Sequence, residues 1–228
     1  MRSEVLRDGL LVALAIAAGS VNALSFLGLG QVFTGVMTGN LVLLGLALGH
    51  GGLAGLVRCL VALAGYLAGV ALASRVVGAG PAPASGWSRR AGACLAVEAV
   101  GLAAVAAGWC LSGGHPRMLL EYVLVAVCAI SLGTQAVAVR ALAGTGISTT
   151  YLTSTLTALV TGVVSGTMAG GVRLRVALLV ALTAGAALEA LLLRVAPPVG
   201  PLLPLLMIVA ALLAGAAGGG AAPVEATG

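Results

Sequence analysis

Four threonines, Thr149, Thr153, Thr157 and Thr161, recur at every fourth position, and Thr34 and Thr38 repeat the first step of that spacing. Residues four apart lie on one face of a helix, so each set forms a hydroxyl stripe that drifts slowly around the axis. Gly39, Asn40 and Thr150 stand beside these stripes, and the amides Asn22 and Gln135 lie in the apolar runs before them. A helix start also presents unpaired backbone N–H groups and the positive end of the helix dipole. Hydroxyls, amides and free N–H groups together suit a small polar or anionic solute. The plainer role for each residue is helix-to-helix hydrogen bonding, worth about 1 kcal/mol apiece in lipid. Both readings stay open at this point.

Two carboxyls, Glu98 and Glu189, sit inside apolar runs, and Arg140 closes another. A carboxyl inside a span is costly and tends to face a cavity or a cation, which makes either Glu a candidate for proton coupling. The alternatives are that Glu189 pairs with Arg194 and that Glu98 lies near enough to the surface to stay hydrated. Arg140 has the chemistry to attract an anion, although an anchor at the membrane edge is its commoner role. No G-x-S-x-G, H-E-x-x-H or Walker loop occurs, and His50 and His115 are isolated. The expectation is a protein that is not an enzyme and that calls for no cofactor and no metal. Cys59, Cys94, Cys110 and Cys128 show neither C-x-x-C nor Cys/His spacing and read as small hydrophobes.

These residues must be positioned by elements suited to lipid. Of 228 residues, 61% are hydrophobic, 7% charged and 3% aromatic, against roughly 25% charged in a soluble domain. A soluble fold could not cover its surface with so little charge. The net charge of +5 is all arginine in origin, without a basic cluster beyond Arg89–Arg90 and with few aromatics, so nucleic acid is not an expected partner. The expected partners are the lipid bilayer and a small-molecule or ion substrate; a homo-oligomer is left open.

Eight apolar runs cover 9–29, 33–49, 56–77, 91–111, 119–142, 148–169, 175–195 and 202–217. They are too long for strands and lack period-two alternation, so helices are expected throughout. The first run imitates a secretory signal, with Val21-Asn22-Ala23 as a weak cleavage site, but the runs behind it favour a retained span. Residues 32–49 align with 147–164 at an offset of 115, placing Thr34 on Thr149 and Thr38 on Thr153. Gly19–Asn22 aligns with Gly133–Ala136 at an offset of 114. The chain thus divides into a first membrane repeat, 1–111, a second, 119–217, and a disordered tail, 218–228. G-x-x-x-G spacings such as Gly35/Gly39, Gly65/Gly69 and Gly162/Gly166 ask only for close helix packing.

If every run crosses, the arginines divide six against five between the two sides. If 33–49 and 148–169 instead enter and leave on one side, eight gather inside (Arg2, Arg7, Arg75, Arg89, Arg90, Arg140, Arg173, Arg175) and three remain outside. The second arrangement obeys the positive-inside rule. The fold expected is therefore an all-α integral membrane protein with about six transmembrane helices plus two partial, re-entrant helices in two inverted repeats. Eight full spans in two parallel repeats is the alternative.

Gly19-Ser-Val-Asn22-Ala23, Val32-Phe33, Met37-Thr38-Gly39-Asn40, Gly133-Thr-Gln135, Arg140 and Thr149-Thr150-Tyr-Leu-Thr153 resemble the YoaK-type family, bacterial membrane proteins grouped under a domain of unknown function. The resemblance covers nearly the whole chain. It implies six transmembrane segments, an inner-membrane location and a transport role without an agreed substrate. Relatives tend to carry Asp where Asn22 stands and an amide where Ala136 stands, so any step resting on that Asp is missing here. The function expected is a secondary transporter or facilitator of a small polar or anionic solute in a bacterial inner membrane, multi-pass with the N-terminus cytoplasmic. A passive channel and a non-transporting scaffold are the alternatives.

Overall fold

The computed structural model describes residues 2–78, 87–117, 119–143, 152–165 and 171–219. Among them the chain forms eight α-helices and a short 3-10 turn: α1 Arg2–Gly28, α2 Met37–His50, α3 Leu53–Val77, α4 Arg89–Leu111, α5 Leu119–Ala143, α6 Leu152–Val164, α7 Val172–Val195, the turn Pro197–Val199, and α8 Leu202–Gly219. The protein is all-helical, and six stretches are long and apolar enough to cross a membrane: 4–28, 53–77, 89–111, 119–142, 172–195 and 197–218. At 1.5 Å per residue the 14-residue α2 reaches about 21 Å, short of a hydrocarbon core of about 30 Å. The expected start of that helix at residue 33 is displaced to Met37, because Phe33–Val36 belong to a turn. The last helix runs to Gly219, two residues into the segment expected to be a tail; 220–228 lie outside the described residues.

α1 and α5 form the centre of the bundle, with about two thirds of each buried (61% and 67%), whereas the other spans are mostly lipid-facing. α1 packs against α7, α8 and α5, and α5 packs against α3, α4 and α1. Contacts between α3 and α5 rise together along both chains, from Arg58 with Glu121 to Gly65 with Ala126 and Gly69 with Ile130, so the two helices run parallel. The same holds for α1 and α7, where Gly19 meets Leu182 and Ser20 meets Glu189. α1 and α5 are antiparallel: Leu14 bonds Gln135, while Gly30 beyond the other end of α1 meets Glu121 at the start of α5.

Glycine sets both parallel crossings. A Cβ on Gly69 would overlap the backbone of Ile130, and one on Gly133 would overlap that of Tyr66. In the other crossing Gly185 lies against the backbone of Ile16, and Gly19 against that of Leu182. Helices in lipid gain no hydrophobic drive from meeting one another, so close van der Waals contact between backbones carries much of their association. Gly65 also faces α5, whereas Gly69 finds its glycine counterpart across the interface in Gly133.

The N-terminal parts of α3 and α5 are tied by an ion pair. Arg58 Nε donates to Glu121 Oε1 at 2.5 Å, with the side chains 26% and 14% exposed. Gly30 (φ 84°) abuts both groups, where a side chain would displace them. Removing one partner leaves a half-buried charge without its counter-ion. Glu121→Ala and Arg58→Ala should each lower stability by about 1–3 kcal/mol. The double variant should cost little more than either single one, read by thermal unfolding in detergent as a double-mutant cycle. Additive losses would show that the pair has no coupling energy.

Of the cysteines, Cys59, Cys94 and Cys128 are buried as expected. Cys110 is exposed, with its thiol 3.2 Å from the Pro198 carbonyl oxygen.

Candidate functional site

The segment between α1 and α2 is where the polar side chains converge. Gly30 (φ 84°) and Gln31 (φ 63°) place two successive residues in the left-handed region, which reverses the chain after α1. The segment then returns beside α1, bringing Thr34 and Gly35 to Asn22. Phe33 stacks on Phe26 with ring centroids 4.8 Å apart. Gly35 packs against the Leu132 side chain of α5.

Non-helical backbone inside a membrane protein must find partners for N–H and C=O groups that water would otherwise satisfy. Two amides supply them. Asn22 Oδ1 accepts from the N–H groups of Thr34 (3.2 Å) and Gly35 (2.9 Å), while its Nδ2 donates to the Ala18 carbonyl at 2.7 Å. Asn40, fully buried, accepts from the Phe33 N–H at 2.9 Å and donates to the Phe33 carbonyl at 2.5 Å. The Thr34 hydroxyl, also fully buried, reaches Ser25 Oγ at 3.4 Å. An Asp at this position would keep both loop bonds through one oxygen but would lose the donation to the Ala18 carbonyl and set its second oxygen against it.

The turn delivers the first residues of α2 to the depth of Asn22. No side chain caps that helix start, since Val36 occupies the N-cap. Thr38 is exposed and Gly39 half-buried. The uncapped N–H groups of the first turn, the Thr38 hydroxyl and the positive dipole end are thus displayed together.

The other expected site residues are placed differently. Gln135 is buried on α5, where its Nε2 donates to the Leu14 carbonyl at 3.3 Å, an interhelical bond rather than part of the turn. Thr157 is exposed on α6. Thr149 and Thr150 lie outside the described residues, and of Thr153 only its place in the first turn of α6 is described. α2 packs on α3 and α6 on α7, so the two short helices have different neighbours. Arg140 is exposed in the last turn of α5. The two carboxyls depart from the plainer readings. Glu189 bonds Ser20 Oγ at 2.5 Å instead of pairing with Arg194, and Glu98 is completely buried rather than hydrated. Among the described residues Glu98 has no hydrogen-bond partner on either oxygen, and Glu189 none on Oε1. Ser20 is the residue that sequence reasoning overlooked. Its signal was its place beside Gly19, at a helix crossing where a hydroxyl faces a neighbouring helix.

Comparisons with known proteins agree with a place in the membrane. The chain is 38% identical over 153 residues to the "UPF0700 transmembrane protein YoaK" of Bacillus subtilis (strain 168), a match covering 67% of this chain and 65% of that protein. The match thus spans about two thirds of the length of the curated relative. No solved structure matches the chain. Residues 10–219, nearly all of the membrane-embedded part, match the family described as "Protein of unknown function (DUF1275)", and the chain, a multi-pass membrane protein, belongs to that family.

Proposed function

We propose that the protein is a secondary transporter or facilitator of a small polar or anionic solute, with the uncapped start of α2 as part of its binding site. The observation that carries this reading is the turn at Gly30–Val36, folded back beside α1 and delivering a helix N-terminus to the depth of Asn22. Irregular backbone at such depth, ending in a half-length helix, is the arrangement by which many carriers hold a solute near the midplane. In this reading Thr38 and the N–H groups of Thr38 and Gly39 contact the solute, and Asn22, Thr34 and Asn40 position them.

Inverted halves support the same reading. α1 and α5 head the two halves and run antiparallel, and each pairs in parallel with the long helix of the opposite half. Gly19 and Gly133 occupy equivalent places in the two crossings, as do Gly69 and Gly185. The helix directions also gather Arg75, Arg89, Arg90, Arg140, Arg173 and Arg175 with the N-terminus at one end of the bundle, which by the positive-inside rule is the cytoplasmic end of an inner-membrane protein.

Purified protein in proteoliposomes should take up at least one of acetate, inorganic phosphate and glycerol, tested as labelled probes, faster than protein-free vesicles. Thr38→Val, which removes an exposed hydroxyl without touching the turn, should reduce that uptake by about tenfold, the equivalent of about 1.4 kcal/mol. Uptake equal in wild type and Thr38→Val would remove α2 from the site. Currents that do not saturate would favour a channel. A non-transporting scaffold is the second reading, favoured by the complete use of the Asn40 amide within the turn; no flux of any probe would support it.

A further inference from the structure

We propose that Glu189 and Ser20 form a proton-binding site bridging the crossing of α1 and α7, and that the proton is the coupling ion of the carrier. The proposal rests on the transport reading above and adds its energy source. Glu189 has no exposed surface, although it belongs to a helix that is largely lipid-facing. Its Oε2 accepts from Ser20 Oγ at 2.5 Å across the helix interface, and its Oε1 has no partner among the described residues.

The unpartnered oxygen is explained by what covers it. Gly200, itself buried, lies against Oε1 so closely that a Cβ there would sit 2.8 Å away. Gly200 belongs to the corner Pro197-Pro-Val-Gly-Pro201 between α7 and α8, and Pro204 follows. Proline has no N–H to offer. The remaining donors of the corner are used locally, Val199 N–H on the Ala196 carbonyl at 3.0 Å and Gly200 N–H on the Pro197 carbonyl at 3.4 Å. The corner is held in place by Trp109, whose Nε1 donates to the Pro197 carbonyl at 2.8 Å. Glu189 is thus roofed by backbone that cannot donate to it.

A bare carboxylate here would have one hydrogen bond in an apolar surround, a costly state unless a cation joins it. Cys128 on α5 is within electrostatic reach of Glu189, and its thiol carries no positive charge. On α1 the charged residues Arg2, Glu4, Arg7 and Asp8 lie at the opposite end, and the turn 197–199 brings none. The described part of α6 is uncharged; α7 itself has Arg173 and Arg175 in its first turn and Arg194 beyond Glu189. One carboxyl oxygen and a hydroxyl are too few ligands for a divalent cation, which takes six or more oxygens. A proton needs only the lone pair of Oε1: an O–H bond forms there, the charge is neutralised, and Ser20 continues to donate to Oε2. Loss of that proton to water leaves a charge seeking further donors and weakens the α1–α7 contact. The companion crossing of α3 and α5 has Thr134 and Ala73 at the corresponding places, and the Thr134 hydroxyl bonds its own helix at Ile130. Only one of the two crossings therefore carries a titratable bridge.

Infrared difference spectra of the purified protein, recorded across a pH step, read proton binding directly and without a solute. Wild type should show a carbonyl-stretch band of a buried neutral carboxyl that is removed in Glu189→Gln and retained in Glu98→Gln. Ser20→Ala should keep the band but shift it to higher frequency, as expected for a carbonyl that has lost its donor. A band unchanged in Glu189→Gln, unshifted in Ser20→Ala, or responding to sodium chloride at fixed pH instead of to pH would overturn the proposal. Failure of the transport reading would appear separately, as absent solute flux in vesicles whose protein still shows the Glu189 band.

Discussion

Replacing Gly133 by leucine is expected to cost about 3 kcal/mol of stability or more, the upper range for overpacking a close contact. At this position even a methyl group would overlap the Tyr66 backbone, so α3 and α5 must separate to admit the larger side chain. The loss spreads along the interface, because Gly69 against Ile130 and Gly65 against Ala126 depend on the same approach. Gly19→Leu should behave alike in the α1–α7 crossing, where the Leu182 backbone is the obstacle. Gly45→Ala is the control: a Cβ there meets nothing within 4 Å, and a glycine removed from a helix interior should leave stability unchanged or raise it by up to about 1 kcal/mol. Thermal unfolding in detergent micelles measures all three. A Gly133→Leu protein melting with wild type would show that the parallel crossings do not hold the bundle.

Asn40→Leu is expected to release the turn before α2 while sparing the spans. Its amide satisfies both the N–H and the carbonyl of Phe33, and a buried backbone group left without a partner costs about 1–3 kcal/mol. Two such groups imply a loss of about 2–6 kcal/mol, concentrated on a segment that depends on few other bonds. Hydrogen exchange of residues 29–40 should accelerate about a hundredfold, corresponding to about 2.7 kcal/mol, with α4 as an unaffected internal reference. Asn40→Asp keeps the acceptor for the Phe33 N–H and loses the donor to its carbonyl, so it should fall between. Unchanged protection in Asn40→Leu would mean that Asn22 and the Phe26–Phe33 stack suffice to hold the turn.

These expectations differ in how far they could be read from residue order. The helices were legible because a membrane span is a matter of length and apolarity, and six of the runs carried both. Their ends were less so. The run beginning at residue 33 yields a helix only from Met37, since the amides of Asn22 and Asn40 reward an irregular backbone at Phe33–Gly35 more than a helix would. Asn22 and Asn40 stood out as amides among apolar residues, yet their shared role as clips for one turn depends on a chain reversal at Gly30–Gln31. Gln135 looked equivalent to them and serves a different contact, with α1.

By itself the amino-acid sequence determined that the chain must live in lipid and that its elements are helices; two partial helices, 33–49 and 148–169, and the arginine asymmetry that goes with them were expectations. Each of these follows from local composition and period, which need no partner to be expressed. Tertiary structure alone decided that α3 lies along α5 and α1 along α7, that Ser20 reaches Glu189, and that a proline corner shuts over the free oxygen. Those contacts join residues as much as 169 positions apart. Such pairings depend on where glycine lets two backbones touch, and the glycine pattern alone admits many candidate partners.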